Sequence, residues 1–278
     1  MSINDLNPDK VLIFDVRGPM AHFRKYYTNS SSLSYLFPPR TVVTGLIAGL
    51  LGLPSEIYAK GDEEPYYESF DGDRSLVAVS VRTKVKRMMQ TINYLATDDF
   101  PTKTPDKLLQ KMISGEIGHT QINLEILLPE NDNDITYRVY FYHENENHER
   151  EKIYDKLKRR LEEQRFVYPP YMGITEFLAS IDYIGEGKVS KNPKQGVELN
   201  SVCKLKEVEL DFCGDNLQYL TEKMPTGFLN DRTPKQAEEY VLEVKGGIMK
   251  VKVKEGAVCY TVSYSEDGHA LIENIMSM

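Results

Sequence analysis

Between residues 10 and 184 the apolar residues change period in a definite order, and that order limits the folds open to the chain more than any other feature. Residues 10–16 (Lys-Val-Leu-Ile-Phe-Asp-Val) are a β-rich apolar run closed by Gly18 and Pro19, which predicts a buried strand. Residues 20–38 have no clean period and too many aromatics for disorder, so they predict an ordered loop or a short helix plus loop. Pro38 and Pro39 then open a helix that Gly52 and Pro54 stop near Leu51, because proline suits the first helical turn and glycine its end. Gly45 and Gly49 share one face of this helix and predict a close neighbour there. A strand follows at 75–84. Residues 121–128 and 136–142 read as two strands joined by an Asn/Asp loop, a hairpin signal. Residues 147–166 carry Ile153, Leu157 and Leu161 at helical spacing, with acids early and arginines late to match the helix dipole. A last strand at 177–184 ends at Gly185-Glu186-Gly187.

Strand, helix, strand, strand, helix, strand is the split β-α-β, ferredoxin-like order of an α+β fold. Residues 85–118, polar and basic with a short helical pattern at 106–113, interrupt it as an insertion. Beyond 187 short β runs alternate with Gly, Pro and Asn, and Gly246-Gly247 marks a hairpin turn. The division predicted is therefore a domain over 1–187 and a small β-rich region over 188–278. The longest strongly apolar stretch, 42–53, is too short to span a bilayer, and residues 1–10 do not read as a targeting segment. Cysteines at 203, 213 and 259 are too few and too odd for a disulfide framework. The cytoplasm is the expected location.

With 34 Lys and Arg against 42 Asp and Glu, the net charge of −8 speaks against nucleic acid until it is divided by segment. Residues 82–111 hold seven cations (Arg82, Lys84, Lys86, Arg87, Lys103, Lys107, Lys111) against three aspartates. Residues 112–150 hold eight acids against two arginines. The alternation at 82, 84 and 86 would set three cations on one strand face. Residues 17–41 combine Arg17, His22, Arg24, Lys25 and Arg40 with Phe23, Tyr26, Tyr27 and the donors Ser30 and Thr41. Single-stranded nucleic acid needs that mixture of cations, small polar groups and flat rings. A packed aromatic loop with a solvated basic face fits the same composition. His143 and His148 beside Glu144 and Glu146 read as a solvated loop rather than a metal site, and no thiolate pair, phosphate loop or nucleophile elbow is present.

Three blocks carry a resemblance. The first runs Gly18-Pro19-Met20-Ala21-His22-Phe23-Arg24-Lys25, Thr28-Asn29-Ser30, Phe37-Pro38-Pro39-Arg40-Thr41 and Gly45-Leu46-Ile47-Ala48. The others are His119-Thr120-Gln121 with Tyr137-Arg138-Val139-Tyr140, and Tyr171-Met172-Gly173-Ile174-Thr175-Glu176-Phe177. They resemble the CRISPR-associated Cas five family in its type I-B form, densely over 10–187 and thinly beyond. The resemblance implies a RAMP-type protein with a ferredoxin-like, RRM-like core, an inserted thumb hairpin and a variable C-terminal region. It implies a subunit of the Cascade interference complex in antiviral defence, holding the 5′ handle of the crRNA. The implied neighbours are the backbone and large subunits and, through the complex, target DNA beside the protospacer-adjacent motif; no cofactor, metal or membrane is implied.

RNA contacts are then expected from Arg17, His22, Phe23, Arg24, Lys25, Tyr26, Tyr27, Ser30, Arg40, Thr41, Gly45, Arg82, Lys84, Lys86 and Arg87, with no catalytic residue. The alternative comes from the type I-C branch, which resembles a metal-independent endoribonuclease that processes pre-crRNA within repeats. His22, Lys25, Tyr26 and His119 are its candidates here, since general acid–base work needs such groups. A protein-interaction module without RNA contact is the third reading.

Overall fold

The structure, a computed structural model, describes residues 6–28, 31–59, 64–95, 105–116, 118–144, 152–212, 217–229, 231 and 233–278. Strand β1 (Lys10–Gly18) is followed by the two-residue strands β2 (Phe23–Arg24), β3 (Ser31–Ser32) and β4 (Ser34–Tyr35). Then come helices α1 (Arg40–Leu51) and α2 (Tyr66–Ser69), strands β5 (Ser75–Val81) and β6 (Val85–Leu95), and helix α3 (Pro105–Ser114). Strands β7 (His119–Pro129) and β8 (Ile135–His143), helix α4 (Ile153–Glu163) and strand β9 (Ser180–Lys191) complete the first two thirds. The remainder is β10 (Gly196–Leu199), β11 (Cys203–Lys204), β12 (Val208–Leu210), β13 (Tyr219–Pro225), β14 (Ala237–Glu243), β15 (Met249–Val253), β16 (Tyr260–Glu266) and β17 (His269–Ile275). Helix and strand are thus mixed, with strands dominant.

The largest sheet has the order β17-β16-β9-β1-β8-β5, every neighbour antiparallel. Alternation divides its two faces. Leu12, Phe14 and Val16 of β1, with Val77 and Val79 of β5 and Tyr137, Val139 and Phe141 of β8, pack beneath α1 and α4. Helix α4 turns Ile153, Leu157 and Leu161 inward, as their spacing predicts. Gly52 ends α1 in the left-handed conformation (φ 72°), and the Leu53 N–H returns to the Ala48 carbonyl at 2.9 Å.

The other face is enclosed by the sheet itself. Val11, Ile13, Leu76, Ala78 and Tyr140 form a second core with Tyr260, Val262, Tyr264 and Ile275, which lie on strands across the sheet. The sheet therefore curls. Its hinge is in β9, where the register with β1 shifts between Ile13 and Phe14, opposite Gly185 (φ 147°). At Gly187 a Cβ would lie 2.5 Å from Val262 Cγ1 and 2.9 Å from Ile13 Cδ1. These glycines were expected to end the strand; instead β9 runs through them, because a bulge and a missing side chain are what bending the sheet requires. One end of the enclosed face is charged. Arg138 forks onto Asp15 (2.7 and 2.9 Å) and Glu266 (2.7 and 2.6 Å), and Arg82 reaches Glu273 at 2.6 Å.

The insertion differs from expectation. Strand β7 pairs over its whole length with β6, Val85 opposite Pro129 and Leu95 opposite His119, so the insertion runs to 129 rather than 118. The predicted hairpin of 121–128 with 136–142 does not form; β8 lies between β1 and β5 instead. Helix α3 belongs to the sequence between the two long strands.

The expected boundary at 187 falls inside β9, and β16 and β17 return to the main sheet. Between them lie two three-stranded sheets, β10-β15-β12 and β11-β14-β13. Gly246-Gly247 joins these two sheets and is not a hairpin turn; the Glu243 carboxylate accepts the Lys245, Gly247 and Gln218 N–H groups that the connection leaves free. The edge of β5 is covered, since Val202 and Met278 donate to its Val79 and Val77 carbonyls. Among the described residues no helix is long and apolar enough to cross a membrane.

Candidate nucleic-acid interface

Beyond Gly18 the chain crosses the base of the β6–β7 hairpin, and Ala21 exchanges two backbone hydrogen bonds with Leu127 (3.1 and 2.8 Å). His22 Nδ1 lies 2.7 Å from the Glu125 carbonyl oxygen and Nε2 lies 2.8 Å from Ser32 Oγ. A carbonyl only accepts, so Nδ1 carries the proton, while the serine hydroxyl beside Nε2 can donate to it or accept from it. Burial, reinforced by the nearby Arg24 charge, holds its pKa below the usual histidine value. Gly173 is required beside it, because a Cβ there would lie 1.9 Å from the His22 carbonyl oxygen. Phe23 is buried edge-on against Tyr137, with centroids 5.7 Å apart.

From Arg24 the chain alternates outward and inward. Arg24 is exposed, Lys25 is buried, and Tyr26 and Tyr27 stand in a turn with 51% and 52% of their surface exposed. The two rings meet edge to face at 5.2 Å. Lys25 Nζ donates to Glu222 of β13 at 2.6 Å, and Arg87 of β6 donates to the same carboxylate at 3.1 Å. Lys25 also sits 5.4 Å over the Tyr35 ring, whose hydroxyl donates to the Lys223 carbonyl. Burial, with Tyr27 next in effect, pushes the Tyr35 hydroxyl far above its usual range, so it stays a donor.

Several expected contact residues are therefore committed inside the protein. Phe23 packs in the core, His22 pins the hairpin base, and Lys25 is neutralised by Glu222. Arg40 is wholly buried, donating to the Phe70 and Ser75 carbonyls and Ser75 Oγ (3.0, 2.9 and 2.8 Å), and burial lowers its pKa to about 10. It fastens α1 and cannot meet a phosphate. Arg82 turns into the curled sheet, Lys84 pairs with Glu130 at 2.5 Å, and Lys86 is exposed on β6, so the three cations do not present one common free surface. Thr41 and Gly45 are half-buried; the close neighbour expected at Gly45 is only the Tyr66 hydroxyl at 3.5 Å from a built Cβ, and Gly49 has none within 4 Å. Ser30, Lys103, Cys213, Glu146 and His148 lie outside the described residues, as does the side chain of Lys107.

What faces outward near the hairpin base is Arg24, Tyr26, Tyr27 and Arg87, whose side chain remains 40% exposed, with Lys86 on the opposite strand face. Arg17 is exposed beside Asp182 at 3.1 Å. Two rings absent from the expected set, Tyr168 and Tyr171, are also exposed. Tyr171 closes a narrow apolar cleft of about 20 Å³ with Phe23, Pro38, Val42 and Leu46.

Of the nuclease candidates, His119 is set well away from His22. His119 begins β7, six residues from the Glu125 that holds His22, or about 20 Å along an extended strand. Among the described residues no group of three or more His, Cys, Asp or Glu side chains could hold a metal, and His143 Nε2 is 2.8 Å from the Ser69 carbonyl.

A family model described as CRISPR-associated protein (Cas_Cas5) matches residues 11–251. The solved structure of a CRISPR protein from Archaeoglobus fulgidus shares the fold, with a TM-score of 0.51 at 15% identity over 95% of this chain and 98% of that one. A chain of a CRISPR RNA-guided surveillance complex gives 0.45 at 10% identity, covering 87% and 90%. A chain of type III-B Cmr-beta bound to cognate target RNA gives 0.45 at 13%, covering 87% and 86%. A search of curated proteins finds no significant match.

Proposed function

Because the chain belongs to the CRISPR-associated Cas5 family, we propose that it is a non-catalytic RNA-binding subunit of a type I-B Cascade complex that holds the crRNA 5′ handle. The observation that carries this reading is the group of Arg24, Tyr26 and Tyr27 beside the hairpin base, where an exposed cation for phosphate and half-exposed aromatic surface for bases stand together. The sheet order β9-β1-β8-β5 with α1 and α4 on one face supports a ferredoxin-like core, and the β6–β7 hairpin supports the thumb reading. The backbone and large subunits are its proposed neighbours, and the cytoplasm its place of action. The neutral, doubly bonded His22 and its distance from His119 favour binding over cleavage.

The test is a titration of labelled repeat-derived handle RNA in EDTA, at several salt concentrations, with a gel of the recovered RNA. Arg24→Glu is expected to weaken binding about ten-fold and to flatten the salt dependence by about one ion, while the RNA stays intact. Unchanged affinity would sink the interface, and a defined cut by the intact protein would return the endoribonuclease reading.

A further inference from the structure

The geometry points to Glu222, in the C-terminal third, as the positioning residue of this RNA face; the inference rests on the RNA-binding reading. Its carboxylate is 4% exposed and stands between two segments that are distant in sequence. Lys25 Nζ, from the loop that carries Tyr26 and Tyr27, is 2.6 Å away; Arg87 Nη2, from the hairpin base, is 3.1 Å away. A second carboxylate completes the group. Glu125 of β7 has Oε1 3.9 Å from Arg87 Nε, while its Oε2 accepts the Ser34 N–H at 2.8 Å. Two cations and two carboxylates sum to zero, so this group adds no net attraction for RNA. What it supplies is position.

Three segments meet there. Lys25 ties the 23–28 turn to β13, Tyr35 repeats the tie through the Lys223 carbonyl at 2.9 Å, and Arg87 ties the hairpin to the same carboxylate. A buried carboxylate facing two cations is costly to remove, because its partners are then left desolvated and repelling each other. Without it the turn carrying Tyr26 and Tyr27 and the guanidinium of Arg87 lose their common anchor.

Charge and position predict opposite outcomes, which makes the claim decidable. Glu222→Gln deletes a negative charge beside the RNA face. If only charge mattered, the variant would bind handle RNA more tightly and with a steeper salt dependence. A positioning role predicts binding weaker by about ten-fold with no steeper salt dependence, and near-normal binding in Glu222→Asp. The measurement is fluorescence anisotropy on the full chain with labelled repeat-derived handle RNA, after thermal melts establish that each variant is folded. Should Glu222→Gln fail to fold, Lys25→Met with Glu222→Leu replaces the ion pair by an apolar one and is likewise expected to bind weakly. Equal or tighter binding by a folded variant overturns the positioning role. Absence of binding by the wild-type chain instead overturns the RNA reading on which it depends.

Discussion

At the scale of single residues, a cation's neighbourhood decides its use. Arg24 and Lys25 are adjacent, yet one is exposed and the other is closed over by Glu222 and Tyr35. Composition over 17–41 showed that cations and rings are gathered there, but not that Phe23 packs inside while Tyr26 and Tyr27 stay half-exposed. The burial of Lys25 and Arg40 was not legible either, because their partners are fixed by tertiary packing: Glu222 is 197 positions from Lys25. His22 gives the residue-scale prediction. Burial lowers its folded pKa, so as pH falls below the unfolded value of about 6.5 the unfolded chain binds a proton that the folded chain refuses. Its contribution is complete above that pH and is lost progressively below it. Melting temperatures between pH 7.5 and 5.5 should therefore fall, and His22→Gln should remove part of that slope; parallel profiles would contradict the neutral, pinned ring.

Elements follow punctuation where the punctuation is local. Pro39 and Gly52 bound α1, and the Ile153, Leu157, Leu161 stripe sets the buried face of α4. Strand pairing is not local. Alternation in 121–128 is the same whether the partner is β6 or β8, so the sequence pattern alone favours the shorter connection, and the longer one is made. Glycine was ambiguous for a similar reason. Gly185 and Gly187 look like a stop, but in β9 they allow the bend that lets β16 lie over Ile13. A side chain at 187 must push those strands apart. Gly187→Val is expected to cost about 2–3 kcal/mol, read as a lowered urea midpoint, whereas an unchanged midpoint would mean that the curl is not tight there.

For the whole molecule, the C-terminal third is part of the core. It supplies two strands of the main sheet, covers the edge of β5, and contributes Glu222, Glu266 and Glu273 to cations of the first two thirds. The expected division at 187 is physically a division within a strand. A chain cut after Lys191 would expose Val11, Ile13, Leu76 and Ala78, which pack against β16 and β17. Such a fragment is expected to lose its near-UV circular dichroism and cooperative urea transition; a sharp transition like that of the full chain would show that residues 1–191 fold alone.

The tie between Lys25 and Glu222 also has a consequence in time. At about 5–20 residues per second, roughly 10–40 s of synthesis separate the two. Throughout that interval the nascent turn holds an ammonium without its counter-ion, and the hairpin base holds Arg87 without its second acceptor. Until Glu222 is made, neither cation has the carboxylate that fixes its place, so the turn and the hairpin base are not yet tied to one another. The relative placement of these two segments is thus a late property of each molecule, acquired when β13 arrives.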